Sequence, residues 1–422
     1  MTAAAQSLRV SDAMEELSWR VYIAAILLSF FVVIEPAPTD MVFMIGVAIF
    51  CFSRPVKVRF LGGAIWLGVF LYLAFSVLSL IFVEYVMVRA VRAVIIEFYM
   101  IGLFVLTAYY MKVRGDAGFA TVLTALTIGG TLASLIAIVG LLDLIPNSDI
   151  LFRGEGVRYR VKATFKDPNV FGPYLVPCIL FTFWVIVESA RFRLLAVGVM
   201  GLLLISLLST YSRGAWIHTF ISLSVFGLAL MIYRPTARST FASFIWVAVL
   251  ICATILLFLD QITARIADSF LGERLSLQSY DTSRFNYVAD AAKNIWEHPF
   301  GIGPYQATFV YGYLPHNTFV AFAMHNGILA SLGLFLIYAG SMARCFLKIV
   351  GQRPGWTKYA LIFGVLLGLS VLMQVVGAIH WRHLYLVCGL AFGTYTTDRL
   401  LVNGMPLWPW RKAPRRRWLA AE

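Results

Sequence analysis

The sequence predicts an all-α, polytopic integral membrane protein, and three observations carry that prediction. Of its 422 residues, 60% are hydrophobic and only 13% are charged, against about 25% charged in ordinary soluble domains. The apolar residues fall in runs suited to crossing hydrocarbon, which takes about 17–25 residues. Between the runs, Lys and Arg recur in alternate short loops, the pattern that orients membrane helices. Soluble enzymes, disordered chains and secreted disulfide scaffolds are excluded by the same composition. The cysteines, Cys51, Cys178, Cys252, Cys345 and Cys388, form no CxxC pair and mostly sit in apolar runs, so they read as small core residues.

The elements follow in order. Residues 1–19 contain Asp12, Glu15 and Glu16 and lead into an apolar run ending at Glu35. That lacks the basic start and small-residue cleavage site of a removable signal, and predicts an uncleaved first span. Further runs lie at about 61–83, 93–111, 118–142, 170–187, 194–208, 215–233, 241–259, 317–340, 359–379 and 384–401. A shorter run at 41–53, between Asp40 and Arg54, brings the expectation to about twelve transmembrane helices. Arg54, Lys57 and Arg59, then Lys112 and Arg114, Arg191 and Arg193, Arg234 and Arg238, and Arg344 to Lys358 then share one side with the tail Arg411 to Arg417. Both termini are expected in the cytoplasm. The chain is read as a single membrane domain over 1–422, with periplasmic loops at 143–168 and 260–316 and a basic cytoplasmic tail at 402–422. The larger loop has room for short helices, since Phe285, Val288, Ala292 and Ile295 recur near helical spacing. No fixed-period repeat and no pair of interrupted helices is visible, which weighs against an inverted-repeat transporter.

Net charge is +13. On this topology the cytoplasmic side holds 21 Lys and Arg against 7 acids, and the outer side 13 of each, with Glu97 inside a span. The basic excess is therefore the topology signal rather than a nucleic-acid or lipid footprint. What it leaves unexplained is why outer loops hold any cations. For Arg265, Arg274 and Lys293, surface pairs with nearby acids suffice. Arginine elsewhere presents a planar fork that suits phosphate and keeps its charge.

Three segments stand out. In LSTYSRGAW, Arg213 lies between two apolar runs, near a helix start whose free N–H groups also favour anions. A charge so close to hydrocarbon is costly unless paired or wet. In VRYRVKATFKDPNVFGPYL, Arg158, Arg160, Lys162 and Lys166 occupy even positions, so an extended strand would put all four on one face. Asp167 and Pro168 read as the N-cap and first residue of the next helix, and Gly172 as helix packing. In HPFGIGPY…HNTFVAFAMHNGILASLGLF, Gly301 and Gly303 allow a tight turn or close backbone approach. His316 opens a span at the membrane surface, where a histidine acts as a cap or a proton acceptor near neutral pH. His325 and Asn326 read as satisfied core groups, and His380, Arg382 and His383 form a last outer cluster, equally compatible with a role in the site and with interface anchoring. No metal-binding spacing appears.

Together TFKDPNVFGPYL, STYSRGAW and SRFNYVADAAKNIWEHPFGIGPY…HNTF…HNGILASLGLF resemble the O-antigen ligase/polymerase superfamily, which includes Wzy-type polysaccharide polymerases and WaaL-type ligases. The motif resemblance covers roughly residues 150–340. One departure is Asn326 before Gly327, where similar proteins often carry an acid. The resemblance implies a GT-C-like, metal-independent glycosyltransferase without cofactor, acting on undecaprenyl-diphosphate-linked glycan at the periplasmic face of a bacterial inner membrane. It implies that Arg213 and Arg284 hold the donor diphosphate and that His316, followed by Asn317, activates or positions the acceptor hydroxyl. Arg158, Arg160 and Lys166 are expected to contribute to substrate binding. Polymerisation of repeat units into exopolysaccharide, capsule or O-chain is the first expectation, ligation of finished glycan to another lipid the second. A lipid-linked sugar flippase or anion transporter is the third, disfavoured because the arginines cluster at one face. Implied partners are the glycan donor and acceptor, membrane lipids, and flippase, chain-length or export proteins of the same pathway, with no nucleic acid.

Overall fold

The computed structural model describes residues 3–53, 60–154, 160–233 and 279–399. Within these the protein is an all-α membrane protein. The helices are α1 (Ala3–Leu28), α2 (Pro38–Cys51), α3 (Gly63–Leu78), α4 (Met87–Leu141), α5 (Pro168–Glu188), α6 (Arg193–Ser209), α7 (Arg213–Tyr233), α8 (Ser279–Glu297), α9 (Ala307–Val310), α10 (Thr318–Asn326), α11 (Ile328–Val350), α12 (Trp356–Leu372) and α13 (Arg382–Leu390). Five stretches among the described residues are long and apolar enough to cross a membrane: Gly63–Phe82, Met87–Leu141, Pro168–Glu188, Arg213–Tyr233 and Ile328–Val350. Pro38–Cys51, Arg193–Ser209 and Trp356–Leu372 are shorter apolar helices. The expected run at 241–259 and the tail at 402–422 lie outside the described residues.

A helix that is apolar all round belongs inside a bundle. α5 is such a helix, buried from Phe171 through Ile186. Its start matches the sequence reading: Asp167 accepts from the Asn169 N–H at 2.7 Å and Pro168 opens the first turn. α4 joins the two runs expected at 93–111 and 118–142 by a sharp turn at Gly115, whose φ is +53° and whose missing Cβ leaves room for the Thr394 carbonyl.

Small residues bring helices together where lipid supplies no hydrophobic drive. Gly364 and Gly368 of α12 lie against Ser222 and His218 of α7, where a Cβ would come within 2.8 and 2.6 Å of their carbonyl oxygens. One further step along the same antiparallel seam, Gly214 meets Leu372. The seam therefore fixes the first turn of α7 against the last turn of α12.

Two expected spans differ from simple helices. The run 317–340 breaks at Gly327, where φ is +93° and a Cβ would stand 2.8 Å from Phe300. The loop 299–303 enters the break: Ile302 N–H donates to the Met324 carbonyl at 3.0 Å, Gly303 N–H to His325 at 2.9 Å, and Ile328 N–H to Pro299 at 2.9 Å. A Cβ on Gly301 would collide with the His325 carbonyl, so close backbone approach explains the GxG. In the run 384–401, helix α13 ends at Leu390, about 13 Å long at 1.5 Å per residue. The chain then turns past Gly393, and Thr394 N–H donates to the Met111 carbonyl. Neither interruption was legible in the hydropathy of its run. Hydropathy is blind to a positive φ.

Candidate functional site

The site grows from the α7–α12 seam. Arg213 is the first residue of α7 and half-buried. Ser212 caps this helix, its Oγ accepting from the Ala215 N–H at 3.4 Å. The same hydroxyl donates to Asn169 Oδ1 at 2.9 Å, and Arg160 donates to that oxygen at 2.8 Å. Arg160 also donates through Nε to the Thr210 carbonyl at 3.0 Å. One amide oxygen on the first turn of α5 thereby ties Arg160 to the start of α7. Gly172 completes the joint, since a Cβ there would reach within 2.6 Å of Ala215.

The second half of the site lies across the end of α12. Asn317 caps α10, its side-chain oxygen accepting from Phe319 and Val320 N–H groups at 3.1 Å each. Its amide donates to Gln374 Oε1 at 2.9 Å. Thr318 adds an N–H bond to the Met373 carbonyl at 2.8 Å and a hydroxyl bond to Val376 at 2.7 Å. These bonds hold the His316 backbone against the segment that follows Leu372, which touches Gly214 beside Arg213. Arg284, half-buried on α8, is close enough for its charge to act on His316. Partial burial first, and the Arg284 guanidinium second, push His316 below the ordinary 6.5. Its imidazole is therefore neutral at pH 7, a proton acceptor beside a permanent cation.

The structure thus gathers Arg213, Arg160, Arg284, His316 and Asn317 at one end of the bundle. Lys166 goes elsewhere: it forms an ion pair with Glu35, which also holds Arg92 at 2.5 Å. The expectation of four cations on one strand face is corrected accordingly. Among the described residues of the segment, Arg160–Val161 is strand, paired with Phe152–Arg153, and the chain leaves extended geometry at Ala163, where φ is +48°. Arg153 pairs with Asp167 instead. Arg158 lies outside the described residues. Arg382 forms a two-pronged pair with Asp40 at 2.7 and 2.8 Å, more than interface anchoring. Asn326, in place of an acid, donates to the buried Glu97 at 2.8 Å, so a carboxylate reaches this point from α4.

Sequence reasoning missed Asn169, Ser212 and Gln374 as the ties that assemble the site. The small-xxx-small pair Gly364 and Gly368 was the available signal for the seam. Among the described residues, no three His, Cys, Asp or Glu side chains gather as a metal site would require.

Residues 198–336, about a third of the chain, match the family described as O-Antigen ligase. No curated protein matches the chain. The matched segment carries Arg213, Arg284 and His316 together with both sides of the break at Gly327. This match supports the resemblance to the O-antigen ligase/polymerase superfamily that the motifs carry.

Proposed function

We propose that this protein is a glycosyltransferase that joins undecaprenyl-diphosphate-linked repeat units into exopolysaccharide, capsule or O-chain. It would act at the periplasmic face of a bacterial inner membrane, with both termini cytoplasmic. The pairing of a half-buried, neutral His316 with Arg284 carries the reading. The acceptor hydroxyl oxygen attacks the anomeric carbon of the donor while the bond from that carbon to the phosphate oxygen breaks. The electron pair leaves with the lipid diphosphate, and the hydroxyl proton passes to His316. Arg213 and Arg284, already in place, stabilise the leaving diphosphate more as its charge grows than in the bound donor. Attack from the face opposite the diphosphate inverts the anomeric centre. Arg160 and Asn317 serve by position: the first braces the start of α7, the second the chain beside His316. Flippase and chain-length or export proteins of the same pathway are the expected partners.

The family match supports ligase-type and polymerase-type transfer alike. They separate when the purified protein receives lipid-linked repeat units as its sole glycan. Lengthening chains establish a polymerase. Growth that waits for a second acceptor lipid makes the protein a ligase, and no transfer in either case removes the reading.

A further inference from the structure

The helix α8 has three faces. At about 100° per residue, Arg284, Val288, Ala291 and Ile295 form one, and Ala291 and Ile295 are buried with Ala323 and Met324 of α10. Phe285, Ala292 and Trp296 form a second, open face, with Phe285 57% and Trp296 78% exposed. The third holds Tyr287, Asp290, Asn294 and Glu297, its centre about 140° around the helix from Trp296. The third face does not end in empty solvent. Tyr287 and Tyr313 are parallel rings with centroids 4.6 Å apart, and Tyr311 follows at 6.0 Å and a 34° tilt. Asn294 reaches the Tyr313 hydroxyl at 3.5 Å. Asp290 lies near enough to act on the Tyr313 phenol and Glu297 on the Tyr311 phenol.

We propose that this row is a subsite for an uncharged pyranose ring of the glycan acceptor. A pyranose presents a face of C–H bonds that stacks on an aromatic ring, and hydroxyls around its rim that need acceptors and donors. Tyr287, with one ring face against Tyr313 and 39% of its surface exposed, offers the open ring. The carboxylates of Asp290 and Glu297 accept from hydroxyls, and the Asn294 amide both accepts and donates. The same carboxylates repel an acidic sugar, with Lys293, 4.0 Å from Asp290, offsetting part of their charge. Position fits the assignment. Tyr287 is three residues, one helical turn, from Arg284, and Tyr313 is three residues from His316, so a sugar on this row has its next hydroxyl near the proton acceptor. Aromatic residues also anchor proteins at membrane interfaces. The apolar surface of α8 suited to lipid is the Phe285 and Trp296 face, which points away from the tyrosines.

This subsite rests on the transfer reading above, and one experiment tells the two apart. The purified full-length protein is assayed with its own lipid-diphosphate repeat unit, and farnesyl diphosphate serves as a sugar-free competitor. Tyr287→Ala and Tyr313→Ala each raise KM for the repeat unit about tenfold, while inhibition by farnesyl diphosphate stays as in wild type. Tyr287→Phe retains most affinity because it keeps the ring. Tyr287→Leu keeps apolar bulk without the flat face and reproduces the loss, which separates stacking from folding. Trp296→Ala changes neither value. An unchanged KM in both alanine variants, or an equal loss of farnesyl diphosphate binding, overturns the subsite and leaves the transfer reading standing. A wild-type protein that transfers nothing defeats the reading and the subsite with it.

Discussion

The two ends of α12 hold charge in opposite ways. At its first turn, Lys358 has no exposed side-chain surface. Its ammonium donates to the Thr397 carbonyl at 2.5 Å and to Arg399 at 3.0 Å, pairs with Asp116 at 3.1 Å, and lies 5.4 Å from the Trp184 ring centre. Asp116 in turn accepts from the Thr396 hydroxyl at 2.7 Å. About 25 Å away, at 1.5 Å per residue over 17 residues, Gln374 is exposed and tied to Asn317, and Arg213, Arg284 and His316 at this end are half-buried. The first end closes a cation inside protein; the second keeps its cations reachable. A buried charge with every proton bonded is a fastener, whereas half-buried ones beside a neutral imidazole are placed to meet a ligand.

Substitutions at the two ends should therefore fail differently. Arg213→Ala and Arg284→Ala are expected to lower turnover about 10²–10³-fold, the usual cost of losing a transition-state donor, with Tm unchanged. Asp116→Asn should do the reverse. It leaves Lys358 buried beside a neutral partner and costs about 3 kcal/mol of stability, read as a fall in Tm, while turnover per folded molecule holds. If Asp116→Asn lost activity without losing stability, the contrast between the ends would collapse.

Smaller effects sharpen the open end. Gly327→Ala forces a side chain into positive φ against Phe300 and is expected to cost about 1–3 kcal/mol, loosening the join between the loop 299–303 and α10. Asn317→Ala removes the α10 cap, worth about 1 kcal/mol, together with the Gln374 tie, and should lower turnover more than it lowers Tm. The least change is a shift on the pH axis. His316 must be neutral to take a proton, and burial and Arg284 depress its pKa. Turnover should then fall only in solution more acid than an ordinary histidine would require. Arg284→Gln removes one cause, so NMR titration of the His316 ring should show its pKa rise.

Much of this molecule can be read from residues alone. The start of α5 at Asp167 and Pro168, the placement of Arg213 at a helix start and the helix over SRFNYVADAAKNIWE follow from local chemistry, which short motifs record. The buried side of that helix does not follow. Its apolar spacing includes Phe285 and Ala292, yet burial falls on Ala291 and Ile295, because α10 decides which stripe is covered. The break at Gly327 is equally hidden, since His325, Asn326 and Gly327 alone do not interrupt the apolar run 317–340 and the loop 299–303 packing into it makes the interruption favourable. Arg160 and Lys166 look alike in sequence and differ in structure because their partners, Asn169 and Glu35, come from different parts of the chain.

The most direct test of the open end as the reacting end is chain growth by the purified His316→Ala protein on lipid-linked repeat units at pH 7.5. The account predicts that wild type builds long glycan while the variant, with the same Tm and the same affinity for farnesyl diphosphate, builds none. Glycan of wild-type length and rate from His316→Ala would contradict it.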